Sequence, residues 1–474
     1  MNKSTSDAAL LDLALDRQAG EPLHAQLAEA IRRLILERRI SAGARLPSSR
    51  MLAEELGVSR VTVVTAFDQL AAEGYADARR GSGLYVAVDL PDQMVERAAP
   101  PAASIAAAPQ PPSDPRPFQP TEPDLSLFPY PAWAKLLERT WRAPSPALVN
   151  HRDPMGWLPL REAIAEHIGA ARGIACTPAQ VAVTSGIAES IDLVARALLP
   201  ADSSVLVEDP GYLLLRRAFV HAGMRVEAVD VDASGFDVGQ AGQAAAAAVT
   251  PSRQFPLGVT MPLPRRLQLL DWARRQDAIV IEDDYDSEYR YRGRPLPALM
   301  NLDREGRVVY LGSFSKVLSS SLRLAYAVVP EARVEALRNV LGKLGAKASL
   351  APQPALAEFM ASGQFAAHIR RMRRLYARRQ EALLRAAETH LPRWLTVGPE
   401  AGGLHLIAEP TPALARRMDD TEASALAADA GVIAPALSLY YSGAPRRQGL
   451  LLGYAGFDEV ALEEAARRLA EALI

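Results

Sequence analysis

Between residues 21 and 88 the apolar positions follow a helical period. Leu23, Leu27, Ile31 and Ile35 recur at helical spacing, which predicts a first amphipathic helix. Pro47 with Ser48 or Ser49 opens a second, which MLAEEL carries to the helix-ending Gly57. Ser59 caps a third, with Val63, Phe67 and Leu70 as its buried stripe and Gly74 as its stop. The period then shortens to two in YADARRGSGLYVAV, which predicts a β-hairpin around Gly81-Ser82-Gly83. Three helices and a two-stranded hairpin, in that order, make a winged helix-turn-helix.

From Asp89 to Pro123, Pro and Ala dominate and block regular structure. This segment reads as a semi-rigid linker between a unit at 1–88 and another at 124–474. Beyond it, short apolar runs at 181–185, 204–209, 225–231, 278–283, 307–312 and 324–329 lack alternation, as strands buried on both faces do. Helical patterns at 186–199, 265–277 and 331–344 lie between them. The expectation is an α/β unit with a parallel sheet and helices on both faces. Long helical segments at 365–389 and 458–473 belong to a smaller α+β lobe over roughly 350–474.

Composition narrows the class. The 474 residues, 49% hydrophobic and 23% charged, describe a globular multidomain chain of roughly three folding units. A single cysteine, Cys176, excludes an internal disulfide and a Cys-rich zinc site. No apolar run reaches the ~18 residues of a membrane span. Asp7, Asp12 and Asp16 interrupt any signal-peptide core. A cytoplasmic protein, with no membrane partner and no metal, is expected. The net charge of −2 leaves DNA affinity to a local patch. Residues 21–86 hold nine arginines against eight acids, so basic character there depends on position.

A recognition helix meets base edges with polar side chains in its first turns. Here those are Ser59, Arg60 and Thr62, with Arg50 on the preceding helix. Arg79 and Arg80 flank the hairpin tip, where they could follow phosphates or enter the minor groove. The string LPSSRMLAEELGVSRVTVVTAFDQLAAEGY followed by GSGLYV closely resembles the winged-helix module of GntR-type bacterial regulators. The resemblance implies that Arg50, Ser59, Arg60 and Thr62 contact operator DNA and that Gly83 sits at the wing. Val64 stands where many relatives carry a second recognition-helix arginine.

Chemistry of a second kind lies further on. In GSFSK, Lys316 could form a Schiff base with pyridoxal phosphate, while Ser313, Ser315 and Arg323 supply hydroxyls and a cation for a phosphate. In IEDDYDSEYRY, Asp283 could pair with a pyridine nitrogen, and Tyr285, two residues on, faces the same side of an extended chain. Taken alone, that segment reads equally as an exposed acidic turn. In VTSGIAESIDLVARALL, Gly186, Ile187 and Ala188 offer main-chain N–H groups at a helix start, although an ordinary strand–helix turn has the same pattern. Tyr212 in EDPGY is placed to stack on a ring or to fill a core.

In this order the segments closely resemble the aminotransferase-like half of the MocR family, in which a GntR-type head is fused to a fold type I pyridoxal-phosphate domain. The resemblance implies that Lys316 forms the internal aldimine, Asp283 pairs with the ring nitrogen, Tyr285 binds the phenolic oxygen, and Arg323 and Ser313 hold the phosphate. It also implies a homodimer, with His151 contacting the phosphate bound by the neighbouring subunit. It places Ala244–Ala248, helical by propensity, in a strand. Several departures stand out. Arg253 and Leu257 replace a usual His and Thr, Ala188 a frequent Gln, and Leu451 the arginine that binds an α-carboxylate in aminotransferases. The implied function is a DNA-binding regulator that senses pyridoxal phosphate, an amine or an amino acid. The alternative is a working aminotransferase with an accessory head.

Overall fold

The computed structural model describes residues 13, 15–17, 19–79, 83–90, 115–120, 122–293, 297–345 and 348–474. The chain forms two compact units, Met1–Pro111 and Pro112–Ile474.

In the first unit, α1 (Leu23–Leu36), α2 (Ser49–Leu56) and α3 (Arg60–Ala72) precede a hairpin of β1 (Ala76–Arg79) and β2 (Gly83–Val86). The hairpin pairs antiparallel, Ala76 with Val86 through Arg79 with Gly83. Leu27, Ile31, Leu52, Val63 and Leu70 are fully buried in one core. Ser48 and Ser59 cap α2 and α3 by accepting the N–H of Met51 and Thr62, and Gly57 closes α2 in the left-handed conformation, φ 63°.

The second unit is built on an eight-stranded sheet: β3 (Val181–Thr184), β4 (Ser204–Asp209), β5 (Arg225–Asp232), β6 (Gly235–Phe236), β7 (Ala246–Val249), β8 (Ile279–Asp284), β9 (Val308–Ser313) and β10 (Ala325–Val328). Their spatial order is β3-β10-β9-β8-β7-β4-β5-β6. Ile279 and Ile281 enter one core and Val280 another, so the central strands are buried on both faces. Helices such as α4 (Ile187–Leu198) and α5 (Leu263–Gln276) supply those cores. Ala246–Ala248 lie in β7, because packing between β4 and β8 overrides their helical propensity.

Two expectations are corrected. The sheet is mixed: β10 runs antiparallel to both β3 and β9. Residues 314–324 connect β9 to β10 with only a short 3₁₀ turn, Ser320–Leu322, and lack the crossover helix that a parallel return requires. In addition, β5 is not buried on both faces, for Arg225, Glu227 and Ala228 are exposed. It has only the two-residue β6 beyond it, so one side carries little cover.

The smaller lobe contains α6 (Gln364–His390), β11 (Leu395–Val397), β12 (His405–Pro410), β13 (Leu450–Gly453) and α7 (Glu459–Ala472) around a core that includes Tyr376, Leu406, Leu452 and Leu469. The end of the Pro/Ala-rich segment packs here. Phe118 is fully buried and bridges to Gly453, and Asp124 pairs with Arg379 at 2.7 Å.

The sheet's directions matter for the site. Thr184 and Ser313 both pair with Ala325, and Asp284 pairs with Gly312. The carboxyl ends of β3, β8 and β9 therefore meet at one edge, where open α/β sheets bind ligands.

Candidate nucleic-acid interface and cofactor site

In the first unit, the α3 start is organised by its own cap. The Ser59 hydroxyl accepts the Thr62 N–H at 3.1 Å and lies 2.8 Å from the Thr62 hydroxyl. Both hydroxyls thus have a local task. Arg50 and Arg60 are exposed, and Arg60 Nε donates to Ser49 at 3.4 Å. Val61 is 73% exposed and Val64 also faces solvent, so this helix presents methyl groups beside its arginine. On the hairpin, the Arg79 guanidinium lies 4.3 Å from the Tyr85 ring centroid. Arg80 lies outside the described residues. Gly83 has φ 110°, and a Cβ there would approach Arg45 Nε to 3.1 Å. Arg45 was not singled out from sequence. Its bridge to Tyr85 brings it to the hairpin from a loop that precedes α2. Arg32, by contrast, is committed to Glu29 and Glu73.

In the second unit, a cavity of about 240 Å³ opens at the carboxyl ends of the strands. It is lined by Gly186, Ile187, Ala188, Tyr212, Asp283, Tyr285, Ser313, Ser315, Lys316 and Arg323, ten of the residues expected there. The remaining one, His151, is not on its wall. That ring packs edge-on against Trp157 at 5.6 Å, and its buried Nε2 has no hydrogen-bond partner among the described residues.

Each wall follows from its element. Gly186, φ 153°, precedes α4 as a cap residue without a side chain, and a Cβ added there would meet nothing within 4 Å. The first amides of α4 therefore have no side-chain cap. Arg323 holds a left-handed backbone, φ 49°, just after the Ser320–Leu322 turn. For a non-glycine residue this is a sparsely populated conformation of the kind that clusters at ligand sites. Lys316 follows β9. Burial lowers its pKa below the ordinary lysine value, against the pull of Glu122, Asp286 and Asp283.

Asp283 is the penultimate residue of β8 and is buried. Burial, then the charges of Asp284, Glu208 and Asp286, push its carboxyl up to about 8. Tyr285 accepts a hydrogen bond from Arg253 Nη1 at 3.1 Å. Burial and then Asp286 raise its pKa, while Arg253 pulls it down. Arg253 Nη2 donates to the His405 carbonyl at 2.8 Å, and Nη1 lies 3.5 Å from Asp286. His405 is fully buried, its pKa driven well down by burial and by Arg253, and its neutral ring reaches the Pro256 carbonyl at 3.0 Å.

Several lining residues were not anticipated: Ser185, Glu189, Leu214, Thr250, Phe255 and Ser320. Phe255 stacks edge-on against Tyr212 at 5.5 Å, Tyr285 at 5.9 Å and Tyr440 at 5.3 Å. Thr250 donates to Glu208 at 2.5 Å, and burial holds that carboxyl up to about 7. The Glu189 carboxylate accepts the Ser185 N–H at 2.6 Å. A first-turn acid is the one sequence signal that could have marked it.

Residues 124–469 match the family model of aminotransferase class I and II, and residues 23–86 that of the bacterial regulatory proteins of the gntR family. The probable rhizopine catabolism regulatory protein MocR of Rhizobium meliloti is 40% identical over 476 residues, covering 98% of this chain and 96% of that protein. The chain belongs to the MocR-type regulators. Another member, the pyridoxine biosynthesis transcriptional regulator PdxR of Corynebacterium glutamicum, is 35% identical, with 98% of each chain covered. Among solved structures, LysN, an α-aminoadipate aminotransferase from Thermus thermophilus complexed with N-(5'-phosphopyridoxyl)-L-leucine, is similar with TM-score 0.67 and 29% identity. It covers 75% of this chain and 91% of its own. A kynurenine aminotransferase of Pyrococcus horikoshii, in complex with PMP, gives TM-score 0.68 at 26% identity, covering 76% of this chain and 91% of that one. Pyridoxal phosphate is the cofactor of this MocR-type architecture. Among the described residues, no helix is long and apolar enough to cross a membrane.

Proposed function

We propose that this MocR-type chain regulates transcription by binding operator DNA through its winged helix, and that its second unit holds pyridoxal phosphate at Lys316 and senses an amine there. The observation that carries this reading is the convergence of Lys316, Asp283, Tyr285 and Arg323 with the α4 start around one cavity.

The residues fit the cofactor. The uncapped amides at 186–188, with Ser313, Ser315 and Arg323, form an anion cradle. Asp283 is buried among acids that raise its pKa, with Lys316 pulling the other way, and a protonated pyridine nitrogen would add a direct cationic partner. The Tyr285 hydroxyl, fixed by Arg253, is positioned to hold a phenolic oxygen. When bound, pyridoxal phosphate supplies an aldehyde that condenses reversibly with primary amines. Burial favours the neutral, nucleophilic amine of Lys316.

On the DNA side, exposed Arg50 and Arg60 would contact bases and Arg79 and Arg80 phosphates, with the Ser48 and Ser59 caps fixing the helices that carry Arg50 and Arg60. A homodimer is part of the proposal, and the buried His151 Nε2, which has no hydrogen-bond partner among the described residues, supports a site completed by a second subunit. The aminotransferase alternative is weaker, because Leu451 is completely buried in an apolar cluster with Phe255, Leu257 and Leu437.

The test is direct. The purified protein should take up pyridoxal phosphate and turn yellow, and borohydride should fix a pyridoxyl group on Lys316, located by peptide mass spectrometry. A colourless protein that cannot be reconstituted would overturn the cofactor reading. Steady keto-acid production at about 1 s⁻¹ or more would make it an enzyme.

A further inference from the structure

Resting on that reading of the cavity, we infer that the effector is a primary amine without a carboxylate next to the nitrogen. The first support is the charge inventory. Among the described residues that line the cavity, the cations are Lys316 and Arg323, and the acids are Glu189 and Asp283. With the cofactor bound, Arg323 would face its phosphate and Lys316 would carry its aldehyde carbon. Once an amine displaced Lys316, burial would favour the neutral form of the released lysine, so neither residue would offer an incoming anion a ready positive charge.

The second support is the wall that faces the ligand space. Tyr212, Phe255 and Tyr285 present aromatic rings there. Leu437 and Leu451, both fully buried, pack behind them in one cluster. Aromatic faces favour an approaching ammonium and disfavour a carboxylate.

The third support concerns the nearest spare guanidinium. Arg253 is not on the cavity wall. Its Nη2 is held by the His405 carbonyl at 2.8 Å, and its Nη1 by Tyr285 at 3.1 Å with Asp286 at 3.5 Å. Burial opposes its charge, yet Tyr285 and Asp286 more than compensate. Freeing it for a ligand would strand those groups in a dry interior. A ligand carboxylate entering this cavity would lose its water without gaining the charge-assisted hydrogen bonds that offset such a loss. An amine bearing no carboxylate escapes that penalty.

Matched pairs test the inference on the wild-type holoprotein, full chain: 2-phenylethylamine against phenylalanine, and 3-methylbutylamine against leucine. Each is titrated while the visible absorbance of the bound cofactor is followed. In both pairs the amine should half-saturate the spectral change at a concentration at least about tenfold below its amino acid, a difference within reach of one charge-assisted contact. Equal or tighter binding of the amino acids would overturn the inference and point to a cation contributed by a second copy of the chain. A holoprotein whose spectrum responds to neither member of either pair would overturn it as well. Failure of the underlying reading looks different: no visible band and no borohydride adduct on Lys316 before any amine is added.

Discussion

Arg50 and Arg60 of the winged unit stand in water on helices capped by serine hydroxyls, whereas in the second unit Asp283 is buried among other acids and Tyr285 is hydrogen-bonded to Arg253. The contrast separates two ways of making a binding group effective. Exposed arginines pay little for their charge and act through position and long-range attraction, which salt screens. Enclosed carboxylates carry a standing desolvation cost that a complementary ligand relieves. One unit should respond to ionic strength and sequence, the other to cofactor and pH.

The largest effect expected is all-or-none. Lys316→Ala should abolish the borohydride-fixable adduct and the visible band while leaving the thermal unfolding of the winged unit unchanged, since each unit has its own core. Retention of covalent cofactor by the variant would break the comparison. Next in size, Arg60→Ala should weaken operator binding by about 1–3 kcal/mol and relax specificity at one base pair. Equal weakening on unrelated DNA would reassign Arg60 to the phosphates.

A smaller effect belongs to pH. The Asp283 carboxyl is held up to about 8, and those of Glu208, Glu282 and Asp286 up to about 7. In the unfolded chain these groups titrate near 4. Over the interval between, the folded protein binds more protons, so its stability falls as pH rises from about 4 toward 8. The cofactor-free protein should therefore melt at a lower temperature at pH 8 than at pH 6. Bound pyridoxal phosphate, by pairing with Asp283, should flatten that slope. Scanning calorimetry of both forms checks the point; parallel slopes would remove Asp283 from the cofactor's partners. Smallest of all, Arg79→Ala should lower the slope of log affinity against log salt by about one, with no change in sequence preference.

How much of this was legible in the sequence divides along the same line. In the winged unit the decisive signals are local: Ser48, Ser59 and Gly57 sit within a turn of the ends they cap, so spacing alone finds them. In the second unit, Lys316, Asp283, Tyr285 and Arg323 could be picked out by residue type, order and resemblance. The aromatic Phe255 and the buried Glu208–Thr250 pair could not, because their partners lie about thirty to two hundred residues away, or 42 in the case of Glu208 and Thr250. The antiparallel β10 was missed for a related reason. An apolar run such as 324–329 has the same composition in either direction, and only the absence of a crossover helix before it carries the distinction.

That reversal has a consequence for which changes in length the chain can absorb. Ala325 pairs on one side with Thr184, at the entry to the α4 turn, and on the other with Ser313, three residues before Lys316. One residue of β10 thus sets the alignment of the anion cradle against the lysine. Ser320 and Arg323 line the cavity themselves, so extra residues in the turn ahead of β10 would displace the cradle's cation while leaving the strand pairing alone. A single residue inserted inside β10 would turn its side chains to the opposite face and shift both neighbours out of step at once. An insertion at any position of β10, 325–328, should therefore remove the cofactor's visible band by disturbing both the α4 turn and the lysine strand at once.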